Sequence, residues 1–172
     1  AKPAEIITIK KPLDKDIYYI FSVDPLESGN GLSLSIVDMK LNGGLGDVVS
    51  KNIKLFHPVT AKLAATRHSN GFETWLIAHE WGSNKFLAFK ISPTGVNTVP
   101  VVSPIGLVLD GNERNAYGYM SISPDGSRIA SCIFGSSTFE LYNFNNIFGF
   151  VTKNVTVHSD EQFSNPLSIE FS

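Results

Sequence analysis

Four histidines, one cysteine and a few clustered acids are the residues of this 172-residue chain best equipped for chemistry. His79 opens "HEWGS" (79–83), which begins like the H-E-x-x-H pattern that holds zinc on one face of a helix. Position 83 is Ser and the segment ends a strand-like run, so both the second ligand and the helix are lacking, and the zinc reading fails. "NGGLGD" (42–47) has the glycines of a phosphate loop. It has neither the G-x-G-x-x-G spacing nor a following Lys-Ser/Thr pair, and a strand follows where an anion would need a helix N-terminus. The serines of "SNGF", "WGSNK" and "FGSST" lack the strand–elbow–helix setting of a nucleophile. Glu73 with Glu80, and Asp110 with Glu113, have nothing that divides them into an acid and a base. The sequence therefore nominates no catalytic residue, no metal ligand set and no cofactor.

"SPDGSRIA" (123–130) raises the same question and answers it with turn chemistry. Pro124 presets its own φ, Asp125 can bond nearby backbone, and Gly126 supplies a positive φ. The flanking "YMSI" and "RIASCIF" are strand formers, so the segment reads as a hairpin turn.

That turn belongs to a repeat. "KLAATRHSNGFETWLIAHEWGSNKFLAFKI" (62–91) is similar to "YGYMSISPDGSRIASCIFGSSTFELYNF" (117–144). Each reads strand, Gly turn, strand, Gly-Ser break, strand. Gly71 and Gly126 lie 55 residues apart, Gly82 and Gly135 lie 53 apart, and Ser123 and Ser172 lie 49 apart. "DIYYIFSVD" (16–24), "NGLSLSIVDM" (30–39) and "VSKNIKLF" (49–56) form an earlier copy. A strand-rich repeat of this length points to propeller blades of four antiparallel strands. The expected fold is all-β, a partial β-propeller of about three to four blades with WD40-like repeats. It forms one domain over 1–172, with blades near 6–58, 59–104 and 115–160 and the start of another at 165–172. In the second unit the strands are expected at 62–68, 73–79, 85–91 and 97–102. In the third they are expected at 117–123, 127–134, 138–144 and 151–157. The first shows strands at 16–23, 32–38 and 49–56, with its innermost strand lost or displaced. Helix should be scarce, since no stretch holds a 3.6-residue period. About three and a half blades do not close a ring, so the expectation is a portion of a larger propeller.

Composition agrees with a folded domain: 42% hydrophobic and 17% charged residues, with twelve Phe and five Tyr. The net charge of −2 and the absence of a basic run argue against nucleic acid as a partner. No apolar stretch approaches the roughly 18 residues of a membrane-spanning helix. Cys132, the sole cysteine, excludes an internal disulfide and, in "RIASCIF", reads as a buried, inert thiol.

The segments "YYIFSVD", "LSIVDMKLNGGLGDV", "AATRHSNGFETWLIAHEW" and "GYMSISPDGSRIA" together resemble the propeller region of large secreted or cell-surface proteins of the Bacteroidota. Many of those proteins end in a gliding-motility-associated or type IX secretion sorting domain. The resemblance runs from about residue 6 to 172, and "VDMKLNGGLGDV" is its most specific part. It implies a secreted or cell-surface location and a multidomain parent, and it carries over no catalytic residue.

Propeller topology would place His57, His79, Glu80, Trp81, "LDGNERNAY" (109–117) and His158 on one face. "NGGLGD", "HSNG", "SPDG" and "NFNNIFG" would lie on the other. The expected function is a non-catalytic interaction or scaffold module. Its partners would be the remaining blades or parent domains, and a surface protein or glycan. The candidate binding residues are His79, Trp81, Asp110, Asn112, Arg114 and Tyr117. The alternative is part of a hydrolase-type propeller whose catalytic groups lie partly outside this chain.

Overall fold

The computed structural model describes residues 5–24, 26–158 and 164–172. These residues form thirteen strands in three antiparallel sheets. The first sheet runs β1 (Glu5–Lys10), β2 (Ile17–Val23), β3 (Leu32–Asp38) and β4 (Asp47–Phe56), each paired with the next. In the second, β5 (Val59–Arg67), β6 (Thr74–Glu80) and β7 (Ser83–Ser92) follow in order. The two-residue β8 (Gly95–Val96) and the longer β9 (Val101–Leu109) both pair with β7. The third is β10 (Met120–Ile122), β11 (Arg128–Ile133), β12 (Thr138–Asn145) and β13 (Phe150–His158), again in chain order.

β1 corrects the expectation that the first unit lacks its innermost strand. "EIITIK" alternates, with Ile9 buried and Ile7 packed on the core, while Ile6 is exposed. All six of its residues pair with β2, Glu5 opposite Val23 through Lys10 opposite Tyr18. The other boundaries move for local reasons. β9 extends to Leu109 despite Pro104, which an edge strand tolerates because its outward N–H needs no partner. β10 begins only at Met120, because the backbone before it is irregular: Gly118 has φ +101°.

The sheets stack face to face in chain order. Tyr19, Phe21, Val23, Leu32 and Leu34 of the first sheet pack against Leu63, Leu76, Leu87, Phe89 and Ile91 of the second. The second sheet's other face sends Ala64, Trp75, Ile77, Phe86 and Ala88 against Met120, Ile129, Tyr142, Phe144 and Val151 of the third. Each large apolar side chain withdrawn from water in these layers contributes about 1.5–3 kcal/mol. The middle sheet is thus covered on both sides, and β6 is buried at five successive positions, Trp75 to His79. Such a strand reads as a continuous apolar run rather than an alternation. Cys132 is buried on β11 with no disulfide.

The turns that join the first two strands of each sheet gather at one end. Asp125 bonds the backbone and side chain of Ser127 and receives the Ser123 hydroxyl, which holds its carboxyl down at about 2. Gly126 sits at φ +70° beside Thr66 and Asn146. Ser69 N–H donates to Asn146 O across the sheets. "SPDG" is therefore a structural turn packed against its neighbours at 66–69 and 143–149.

Candidate functional site

At the other end, main-chain hydrogen bonds join the segments that carry the candidate binding residues. Trp81 N–H donates to Pro58 O at 3.1 Å, and Gly82 N–H to Leu109 O at 2.9 Å. These bonds fix the β6–β7 turn against the start of the 110–119 connection. Within that connection Asn112 Oδ1 caps a short 3-10 turn by accepting Arg114 N–H at 3.0 Å, and Asn115 Nδ2 donates to Asp110 O. The turn is then tied to the third sheet, where Gly135 N–H donates to Arg114 O and Phe134 N–H to Tyr117 O. Arg114 lays its guanidinium over the Phe134 ring, 4.8 Å from the centroid. Asp110, Asn112 and Arg114 are exposed, while Trp81 and Tyr117 are half-buried. This is a rigidly held loop surface with an aromatic edge and a cation–π-fixed arginine, features frequent at binding hot spots.

His79 does not share that surface. It is 2% exposed, and its ring meets Phe86 edge-on at 4.8 Å. The parity of Trp75, Ile77 and His79 on β6 turns all three inward. Nδ1 lies 2.9 Å from Glu80 O. A carbonyl only accepts, so Nδ1 carries the proton. Burial pushes the imidazole down to about 4 from its ordinary 6.5. The unfolded chain therefore binds a proton that the folded chain refuses, and His79 withdraws stability as pH falls from 6.5 towards 4. Glu5, raised by burial to about 7, works the opposite way, favouring the fold most below pH 4.5 and losing that contribution as pH rises through 7. Comparison with His79→Gln isolates the histidine. Relative to that variant, the native protein is expected to lose about 3 kcal/mol between pH 6.5 and 4. Urea unfolding across that range measures it, and parallel curves for the two proteins would refute it.

Sequence reasoning missed Lys62. It is fully buried on β5, and its Nζ donates to Tyr117 O at 2.9 Å, Gly118 O at 2.8 Å and Cys132 O. Tyr117 and Gly118 lie in the backbone leading into β10 and Cys132 lies on β11, so Lys62 pins the second sheet to the third. Burial pushes its pKa down to about 7. The three donors of an ammonium match three acceptors, whereas a neutral amine would turn its lone pair against one of them. The charged form is the one that fits. In "VTAKLAATR" nothing but the surrounding apolar strand hints at this burial.

A second buried polar group sits at the far side of the same junction. Glu140, 2% exposed, accepts from Tyr142 Oη at 2.5 Å, Leu107 N–H at 3.1 Å and Thr156 Oγ1 at 3.2 Å. Burial and the Glu140 carboxylate raise the Tyr142 hydroxyl far above its ordinary value, so it stays a donor. Gly106 lies against this pair, where a Cβ would collide with the Tyr142 hydroxyl. Lys62 and Glu140 thus spend their donors and acceptors on holding sheets together. Among the described residues, no group of three or more His, Cys, Asp or Glu is placed to hold a metal ion.

No protein-family model and no curated protein matches the chain. Among solved structures it is similar to a functionally unknown protein from Desulfotomaculum acetoxidans DSM 771. The two share 11% identity over 94% of this chain and 73% of that chain, with a TM-score of 0.28, a level of likeness that bears on neither fold nor function.

Proposed function

We propose that the three sheets are consecutive blades of a β-propeller that serves as a non-catalytic interaction or scaffold module. The observation that carries this reading is the way the first strands lie side by side from sheet to sheet. Glu5 of β1 accepts Leu63 N–H of β5 at 2.7 Å, and Lys62 of β5 grips the backbone leading into β10. Beside β10, Tyr119 N–H donates to Leu167 O and Ser121 Oγ to Glu170 Oε1. Repeating such a step turns successive first strands about a common axis, as in a propeller. The outer face of the third sheet supports a further blade as partner. It exposes Tyr119 (51%), Leu141 (40%), Val155 (53%) and Val157 (47%), whereas the matching faces inside the stack are covered. The secreted or cell-surface location implied by the Bacteroidota resemblance belongs to the same proposal.

In this reading the loop surface of Trp81, Asp110, Asn112, Arg114 and Tyr117 meets the partner, a surface protein or glycan. An experimental structure of the chain with its parent sequence tests the architecture. Three sheets related by one repeated rotation about an axis beside β1, β5 and β10 support it, and sheets with no shared axis end it. A printed glycan and surface-protein array tests the contact face. Trp81→Ala combined with Arg114→Ala is expected to weaken captured binding about a hundredfold, with the melting temperature nearly unchanged. Substitutions in the 42–46 loop should leave binding intact, and the reverse pattern would overturn the assignment.

A further inference from the structure

We infer a second binding site, for an acidic carbohydrate, at the end of the molecule opposite the Trp81–Arg114 surface. The β1–β2 turn (11–16) and the β5–β6 turn (68–73) flank an open, shallow cleft of about 600 Å³. Four cations line it, Lys10, Lys11, Lys15 and Arg67, against one carboxylate, Asp14. That carboxylate is already engaged, accepting Asp16 N–H at 3.0 Å and pairing with Lys11 at 3.6 Å. Lys10 rests its ammonium 5.9 Å from the Tyr18 ring centroid. Among the described residues, Arg67 and Lys15 have no hydrogen-bonding or ionic partner for their side chains. In a chain of net charge −2, these unspent cations are concentrated on one concave surface.

The remaining lining selects the class of anion. Phe72 is 46% exposed and offers an aromatic face to the C–H face of a sugar ring. Thr8 and Thr74 add hydroxyls for polar groups. Carboxylates or sulfates on alternate sugars would meet Arg67 and Lys15, the guanidinium giving paired donors to a planar carboxylate. Nucleic acid fits less well, because a phosphate backbone is tracked by basic surface extending well beyond a single cleft. The site stands apart from the blade reading and from the loop surface at the opposite end.

Calorimetric titration tests it with a galacturonate tetramer and a heparin tetrasaccharide, the two sources of negative charge on sugar. Maltotetraose, tetraglutamate and a short oligothymidylate serve as comparators. At least one acidic oligosaccharide is expected to bind, with an affinity that falls as salt rises, and each comparator should bind more weakly. Arg67→Gln with Lys15→Gln should weaken the oligosaccharide about tenfold or more. Phe72→Ala should weaken it too, while leaving the melting temperature near native because the ring is exposed. Trp81→Ala with Arg114→Ala should leave this binding unchanged, which keeps the two sites distinguishable. Failure of both acidic oligosaccharides to bind would overturn the inference, as would indifference to the double variant. Equal or tighter binding of tetraglutamate or oligothymidylate, or a silent Phe72→Ala, would overturn the assignment to carbohydrate.

Discussion

A Lys62→Met variant is expected to lose about 3–5 kcal/mol of folding stability, because buried carbonyls lose a charged donor and only part of that loss is offset by no longer burying an ammonium. Methionine fills much of the volume of the lysine stem, so the loss is polar rather than steric. The carbonyls of Gly118 and Cys132 would be left without the donor they share with Tyr117 O, which keeps Phe134 N–H, and each orphaned acceptor costs about 1–3 kcal/mol. For a chain of this size the loss corresponds to a melting temperature lower by about 10 °C. Lys54→Met is the control: Lys54 is exposed on β4, and its replacement should move stability by less than about 0.5 kcal/mol. Thermal and urea unfolding of both variants decide the matter. Equal stability of the two would show that the ammonium does not hold the second sheet to the third.

Trp75→Ala should be of similar size, about 3–5 kcal/mol, for a different reason. Trp75 is 3% exposed between the second and third sheets. Its ring stacks on His68 at 5.7 Å and meets Phe144 edge-on at 6.3 Å, and Nε1 donates to Asn146 O at 2.9 Å. Gly149 lies flat beneath it, where any side chain would strike the indole. Truncation to Ala opens a cavity that the flanking strands cannot close, and it removes one of the two donors to the Asn146 carbonyl, which keeps Ser69 N–H. Trp75→Phe keeps most of the packing and loses the hydrogen bond, so about 1–2 kcal/mol is expected. Unfolding followed by the fluorescence of Trp81, the other tryptophan, reads both variants. An Ala variant no worse than the Phe variant would contradict the packing account.

The parts of the fold legible in the sequence are those governed by local chemistry. Pro124, Asp125 and Gly126 announce a turn because their backbone preferences act over a few residues, and the strands on either side follow from β-branched and aromatic runs. Trp75, in step with Ile77 along its strand, is readable as a residue between sheets. β1 also has a local signal, the alternation of "EIITIK", which the repeat-based reading passed over. The site was harder to read. His79 looks like a strand-end residue bound for a surface loop, and only the parity it shares with Trp75 and Ile77 hints that it turns inward. Lys62 gives no local signal beyond the apolar strand around it. Its three acceptors come from residues 55 to 70 positions later in the chain, so its role exists only once two sheets have met. The cleft is likewise built from two turns more than fifty residues apart.

The middle sheet's double coverage also bears on how strands choose their alignment. In the first sheet a one-residue slip would bring Phe21 and Leu34 out to face water, so burial itself enforces the pairing. For β6 the same slip would only exchange which neighbouring sheet each of five buried residues meets. Hydrophobicity is therefore nearly silent about its alignment, and the information must sit at its two ends. At one end Asn70 Oδ1 gathers the N–H groups of Phe72 and Glu73. At the other, Glu80 pairs with Lys85 and accepts the Ser83 hydroxyl, and Trp81 is fastened to Pro58. Polar residues at the two ends of β6, outside its buried run, thus act as the alignment marks for the strand at the centre of the stack.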